Sequence, residues 1–380
     1  MPWREVSRMD RRIEFVALAQ QPGSNRRELC RRFEISAKTG YKWLARAVVE
    51  ESEEWYADRS RRPHVSPQRS AAELEAGVLR LRDEYPVWGA RKIWRCLRDE
   101  GVLAPAVSTV HAILLRHGRL REPARVPARC RFEYPAPNLM WQMDFKGRFA
   151  LRDGCWCHAL TMIDDHSRYA LCLAACSNEQ GATVRGHLER TFRRYGLPDT
   201  ILVDNGTPWG DGPRQGWTKL GVWLLKLGVD VVHSRPYHPQ TRGKNERLHR
   251  TVKAEVIAME IFCSLAAVQA AFDRWRPIYN HKRPHQALGL EVPASRYRPS
   301  ARTMPSKLPE PEYPAGEVVR KVGTTKGYIS FKGWLWRVPE AFQGERVAVR
   351  PLESDGHYGI FFGARRIADF DLRDQQDSEA

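Results

Sequence analysis

The sequence has no apolar run of membrane-spanning length, and its first residues lack the apolar stretch of an export signal. Both absences lead us to expect a cytoplasmic protein with no membrane partner. Ordered cysteine spacing is missing too. The eight cysteines are scattered, and although Cys155 and Cys157 stand one residue apart, the second pair that a zinc site needs is not there. Buried free thiols in a reducing compartment are expected, and no disulfide framework. Acidic residues are in deficit, 45 against 62 basic ones, for a formal charge of +17. That imbalance favours a polyanionic partner, nucleic acid ahead of membrane. Apolar residues are not scarce: at 42% they allow real cores, and 380 residues allow two to four domains.

The first third reads as short helices. Residues Met9 to Gln20 carry Ile13, Val16 and Ala17 on one face, and Gln21-Pro22-Gly23-Ser24 breaks the pattern. Ser24 or Asn25 can cap a second helix, Asn25 to Phe33, and Ser36 a third, Ala37 to Val49. Two short helices joined by a tight turn form the helix-turn-helix pattern. Lys38, Thr39, Tyr41 and Lys42 then lie nearest a DNA major groove; a small bundle without a ligand is the alternative, and Gly40 is a poor residue for that helix. After a charged, proline-broken stretch, Asp58 to Arg69, the plan repeats. Helices are expected from Ala71 to Glu84, from Ala90 to Asp99 with Ile93, Trp94 and Leu97 inward, and from Thr109 to Arg116. Ser108 is the expected cap of the last and the DNA-contact candidate of this second module.

From Asn138 the pattern alternates between strand and helix periods. Strands are expected at Trp141–Leu151, Cys155–Asp164, Tyr169–Ala175, Thr200–Val203 and Val229–His233. Helices are expected at Asn178–Tyr195, Trp217–Leu227, from Arg242 past Ile257, and at Leu265–Asn280. The result is an α/β layer of one sheet covered by helices. Beyond a proline-rich stretch, short alternating runs punctuated by Gly327, Gly333 and Gly344 read as a small antiparallel barrel.

Three acidic positions stand apart. Asp144 lies in Trp-Gln-Met-Asp-Phe-Lys-Gly, Asp204 ends the apolar run Thr-Ile-Leu-Val-Asp-Asn-Gly, and Glu246 opens a helical stretch. Phosphodiester chemistry needs an activated oxygen nucleophile and a stabilised leaving oxygen, and two divalent ions about 3.5–4 Å apart supply both. Mg²⁺ takes hard oxygen ligands and keeps several waters, so a few convergent carboxylates suffice. Asp204 sits at the carboxyl end of its strand, where open sheets present ligands. If the strands of Asp144 and Asp204 are neighbours, the two carboxylates face each other, with Glu246 reaching in from its helix. Arg250 and Lys253, at i+4 and i+7 from Glu246, share its face and would hold phosphates. Arg242, Lys244 and Asn245 join them as DNA-contact candidates, and His238 is as readily a packed loop residue. Asp164 and Asp165 read as turn formers rather than ligands, Glu255 as a weaker substitute for Glu246, and Trp334 and Trp336 as barrel residues rather than base-stacking ones.

From Asn138 to about Arg298 the sequence resembles the core of DDE transposases and retroviral-type integrases, a ribonuclease-H-like fold. The resemblance rests on Trp141-Gln142-Met143-Asp144, on Val203-Asp204-Asn205-Gly206, and on Pro236-Tyr237-His238-Pro239-Gln240-Thr241 leading through Gly243-Lys244 to Asn245-Glu246-Arg247. Order and spacing are similar to bacterial insertion-sequence transposases of the IS481 and IS3 kind, and Asp58-Arg59-Ser60-Arg61 and Pro86-Val87-Trp88-Gly89-Ala90-Arg91 favour IS481. Forty-one residues separate Asp204 from Glu246, more than is usual in the IS3 group, and Pro208 to Lys219 reads as the insertion. The histidine-cysteine zinc module of retroviral integrases is not seen. The resemblance implies Asp144, Asp204 and Glu246 as a metal-binding catalytic triad, with two Mg²⁺ per site and Mn²⁺ as a substitute. It also implies cleavage at element ends and transfer of the freed 3′ hydroxyl to target DNA. The partners are terminal repeats, target DNA and further copies of the chain on paired ends, in a bacterial cytoplasm. A DNA-binding regulator without activity and a plain nuclease are the alternatives.

The expected architecture is multidomain: all-α helix-turn-helix modules, an α/β ribonuclease-H-like core and a C-terminal β-barrel. The expected divisions are 1–55 and 71–120 for the modules, with 56–70 and 121–137 as linkers. The core takes 138–300, a proline-rich linker 301–316, an SH3-like barrel 317–372 and a disordered tail 373–380.

Overall fold

The computed structural model describes residues 7–49, 55–59, 69–120, 133–206, 208–210, 216–234 and 243–373. The chain divides into two compact units, residues 1–70 and 71–380.

The first unit holds three helices, α1 (Arg8–Ala19), α2 (Arg26–Arg32) and α3 (Ala37–Val49). Ser7 and Asp10 form a reciprocal capping box on α1, Asn25 caps α2, and the Ser36 hydroxyl accepts the Thr39 N–H at the start of α3. The core is Phe15, Val16, Ala19, Cys30, Trp43 and Leu44. The inward face of α1 is therefore rotated from the expected one: Ile13 is exposed, and Phe15 and Ala19 are buried. The cause is tertiary. Gly40 lets α3 approach so closely that a Cβ there would lie 2.6 Å from Cys30 Sγ and 2.9 Å from Phe15 Cζ. The glycine that weakens α3 as an isolated helix is the contact point that packs it.

The second unit begins with α4 (Ala72–Glu84), α5 (Ala90–Asp99) and α6 (Val107–Arg116). Val78, Leu81, Trp88, Ile93, Leu97, Val110, Ile113 and Leu114 fill its core. Ser108 is not the cap of α6; Ala106 holds that position without a side-chain bond, and Ser108 lies exposed in the first turn. The helix starts earlier than its polar signal because Val107 packs on this core. These three helices are not a separate bead. Arg95 on α5 pairs with Glu291 at 2.8 Å, and Ile278 packs into the apolar cluster of the module.

Next come β1 (Met140–Ala150), β2 (Trp156–Asp164), β3 (Ala170–Cys176), α7 (Gly181–Tyr195), β4 (Thr200–Val203), α8 (Lys219–Lys226) and β5 (Asp230–His233). Then α9 (Gly243–Val252) continues through a π-helical turn, Lys253–Ile257, and is followed by α10 (Leu265–His281) and α11 (Pro293–Arg296). The five strands form one sheet in the order β3-β2-β1-β4-β5. The first three are antiparallel, and β4 and β5 run parallel to β1. Residues of period two divide between two cores. Trp141, Met143, Leu160, Met162, Ile201 and Val203 face α7 and α8, whereas Ala159, Ile163 and Leu173 face α9 and α10.

Residues 300–308 are not a free linker. Arg302 donates to the carbonyls of Pro198, Leu227 and Gly228 and pairs with Asp199 at 2.8 Å, while Met304 and Leu308 pack on the α7–α8 core. Gly196, at φ +78°, admits this segment: a Cβ there would lie 2.6 Å from the Ser300 carbonyl oxygen.

The C-terminal part holds β6 (Val318–Lys321), β7 (Tyr328–Phe331), β8 (Trp334–Arg337), β9 (Arg346–Pro351), β10 (His357–Phe362) and β11 (Arg365–Asp371). Among the described residues it is not one closed barrel. A four-stranded antiparallel sheet, β11-β10-β9-β6, and a separate β7–β8 hairpin enclose one apolar core. Trp336 is buried there, stacked on Phe370 with ring centres 4.0 Å apart. Val222 of α8 completes the same core, so these strands dock on the central layer.

Candidate active site

The pairing of β1 with β4 bears on where the two aspartates stand. Strands β1 and β4 pair in parallel with Met140 opposite Thr200, Trp141 opposite Ile201 and Gln142 opposite Leu202. Continued by two residues, that register sets Asp144 opposite Asp204. Adjacent strands lie about 4.8 Å apart and facing residues of a ladder point the same way, so both carboxylates leave the same side of the sheet. It is the side covered by α9, because the neighbours Trp141 and Met143 belong to the opposite core. Both aspartates are half-exposed. A one-residue bulge follows Asp144 in the β1–β2 ladder, between Phe145 and Arg148, with Gly147 at φ +82°. It bends the strand just beyond the carboxylate.

Glu246 lies in the first turn of α9, on the helix that covers this face, and is exposed. Among the described residues, no three His, Cys, Asp or Glu side chains are grouped so as to hold a metal ion. The helix itself is tied to the strands. The Thr161 hydroxyl, from the β2 residue opposite Asp144, lies 2.9 Å from the Asp144 carbonyl oxygen, 3.0 Å from Asn245 Oδ1 and 2.7 Å from His249 Nε2. Leu248 and Val252 fill the apolar part of the contact.

Asp164 does what its turn setting suggests, whereas the Asp165 carboxylate finds its partners outside the turn. Asp164 accepts the N–H groups of Asn138 and Ser167 at 2.8 and 2.7 Å, and its burial raises its pKa. Asp165, fully buried, accepts from the Tyr134 N–H and Gln142 Nε2 and forms an ion pair with Lys244. Lys244, expected among the DNA contacts, is thus turned inward, its ammonium neutralising a carboxylate that has no access to water. Burial lowers its pKa and Asp165 opposes that shift. Asn245, expected in the same role, is 2% exposed and held by Thr161. Glu255 is also occupied: it accepts from Trp275 Nε1 and Arg283 Nε at 3.1 and 2.9 Å.

Arg250 and Lys253 are exposed. Lys146, two residues beyond Asp144, has a pKa lowered by burial and by the charge of Lys253, so these two ammonium groups lie near each other. Burial also lowers the Lys92 pKa, to about 7, assisted by Arg283 and Arg247 and opposed by Glu255. On α3, Lys38, Tyr41 and Lys42 are exposed, and Thr39 is partly engaged with the Ser36 hydroxyl at 2.9 Å. Arg242 and His238 lie outside the described residues.

Sequence reading missed Thr161, His249 and Lys146. A hydroxyl between the apolar Ala159 and Ile163, and two polar residues four apart on one helix face, were the signals to find. Neither points to a partner until β2 and α9 are in contact.

The chain matches two models of the integrase core domain, over residues 135–239 and 227–293. It matches the C-terminal domain of the IS481 transposase family over 317–378 and a homeodomain-like domain over 39–114. A protein of insertion element IS407 from Burkholderia multivorans is 25% identical over 214 residues, 56% of this chain and 71% of that one. A protein of insertion element IS476 from Xanthomonas euvesicatoria is 27% identical over 226 residues, 59% of each chain. Among solved structures, a chain of the simian T-cell lymphotropic virus intasome in complex with PP2A regulatory subunit B56 gamma aligns at 16% identity with a TM-score of 0.36, covering 77% of this chain and 99% of that one.

Proposed function

From a chain that carries an integrase core and the C-terminal domain of the IS481 transposases, we propose a DNA transposase. It binds the terminal repeats of an insertion sequence, cuts the DNA strand there and joins the freed end to target DNA. The observation that supports this reading is the β1–β4 register, which, continued two residues past its last pair of Gln142 with Leu202, would bring Asp144 beside Asp204 on the face covered by the helix that bears Glu246. Paired carboxylates on adjacent strands are the hard-oxygen donor set that Mg²⁺ takes. Asp144 and Asp204 would hold the ions, with Glu246 as the third carboxylate from the first turn of α9. Bound there, divalent ions would activate the attacking oxygen and stabilise the leaving one.

The protein's own part is to place DNA. Lys146 and Lys253 repel each other across the bulge end of β1, and a phosphate between them relieves that repulsion. Arg250, one turn beyond Glu246, extends the cationic track. Joining is a direct exchange: the 3′ hydroxyl oxygen forms a new bond to a target phosphorus as the bond to the displaced oxygen breaks, the hydroxyl gives its proton to solvent, and the displaced oxygen takes one up from solvent to leave as a 3′ hydroxyl. No ATP is consumed. Lys38, Tyr41 and Lys42 on α3, and Ser108 on α6, are candidates for reading the element end. Several copies of the chain on paired ends would complete the assembly.

Purified protein incubated with Mg²⁺ or Mn²⁺ and labelled element ends should yield joined products, and Asp204→Asn should yield none while still binding the ends. Cut products without joined ones would instead indicate a nuclease. Joining by Asp204→Asn at the wild-type rate would remove the aspartate pair from the reaction.

A further inference from the structure

Thr161 is fully buried, and its hydroxyl meets three polar groups from two elements. A hydroxyl has one proton and two lone pairs. The Asp144 carbonyl oxygen can only accept, so it takes the proton. The other two partners must then donate. His249 does so with its proton on Nε2. Asn245 does so when its amide nitrogen faces the hydroxyl. In the recorded orientation the oxygen faces it, and Nδ2 is buried with no hydrogen-bond partner. Amide oxygen and nitrogen are assigned from such networks, and turning this amide over gives the orphaned donor its acceptor.

Asn245 and His249 stand four residues apart on one face of α9, and Glu246 follows Asn245 directly. The apolar contacts of Leu248 and Val252 hold the helix down but tolerate sliding and rotation. Directional bonds to one hydroxyl do not. We propose that Thr161 is a positioning residue: its hydroxyl sets the height and rotation of the Glu246-bearing turn of α9 against the strand of Asp144. The proposal rests on the reading of Asp144, Asp204 and Glu246 as the reacting site. His249 and Asn245 are the helix side of the same tie.

Thr161→Val keeps the shape and removes the hydroxyl. The expected result is a folded protein that binds element ends as the wild type does and joins them about 10- to 100-fold more slowly, with a similar rise in the Mg²⁺ concentration for half-maximal rate. Thr161→Ser should restore most of both. Native-state amide exchange should quicken along α9 in Thr161→Val and stay unchanged in α7. Wild-type joining at wild-type Mg²⁺ would overturn the proposal. So would slower joining with neither the Mg²⁺ requirement nor α9 exchange altered, since that marks a merely structural loss. If Thr161→Val fails to fold, His249→Leu against His249→Gln carries the same comparison, because glutamine retains a donor. His249→Leu with the wild-type Mg²⁺ requirement would then overturn it. Should the wild type itself join nothing, the transposase reading fails, and α9 exchange in the Thr161 variants still decides whether the tie exists.

Discussion

Lys244 shows how a side chain's charge and its use can part company. By sequence it belongs to a basic approach to Glu246; in the fold it neutralises Asp165, which is fully buried. Removing one partner of a buried pair leaves the other charge stranded. Lys244→Met should therefore lower the free energy of unfolding by about 3–5 kcal/mol in urea melts without DNA. A true phosphate contact would instead leave stability unchanged and weaken DNA binding. Gly196 is the second residue with a sharp expectation. Its positive φ and the carbonyl oxygens of Ser300 and Arg302, 2.6 and 2.8 Å from a Cβ, leave no room for alanine. Gly196→Ala should cost about 1–3 kcal/mol, read from the same melts.

Among the elements, α5 carries a charge that its setting opposes. The Lys92 pKa falls to about 7, chiefly through burial, with Arg283 and Arg247 adding repulsion and Glu255 and Cys96 opposing it. The unfolded lysine titrates near 10.5, so between about pH 7 and 10.5 the unfolded chain binds more protons and stability rises with pH. Below about pH 7 the full penalty of a buried charge applies. Lys92→Met should accordingly raise the melting temperature most at pH 6 and least near pH 10. Helix α3 makes a different prediction. Its exposed Lys38 and Lys42 lie on a helix whose Trp43 and Leu44 are buried. If it reads DNA, the double alanine variant should weaken binding to element ends and reduce the salt-dependence slope by about one for each phosphate that loses its lysine.

Within residues 71–380, the parts expected as separate beads form one body. The second helical module is bound to the core through Arg95 and Glu291, and the C-terminal sheets through Val222, the Lys226–Glu345 pair at 2.7 Å and the Arg365–Asp230 pair at 2.7 Å. Val222 is the apolar pin of the C-terminal contact. Val222→Asp places an unpaired charge in that core and should free the C-terminal strands to limited proteolysis near residue 310 at a temperature where the wild type resists. Uniform stability of the variant would mean that the two ion pairs suffice to hold the docking.

Period and capping are local properties, so the sequence by itself determined most of the helices and strands, though α11 and β11 were not among those expected. Ser7 was not expected as a cap, but Asn25 and Ser36 act where their position before an apolar pattern puts them. The Asp204 and Glu246 settings were legible because each stands at the end or start of an element, and that of Asp144 because a carboxylate stands mid-strand next to the apolar Met143 and Phe145. Tertiary structure alone decided what those residues meet. The adjacency of Asp144 and Asp204 depends on a parallel pairing between strands some sixty residues apart, and no local pattern encodes which strand lies next to β1. The rotation of α1 depends on how closely Gly40 lets α3 approach, the inward turn of Lys244 on the burial of Asp165, and the division of the expected barrel into a sheet and a hairpin on where β7 and β8 find partners. A strand's period fixes which face a side chain takes, while its neighbours are chosen by whichever packing buries the most apolar surface without stranding a charge.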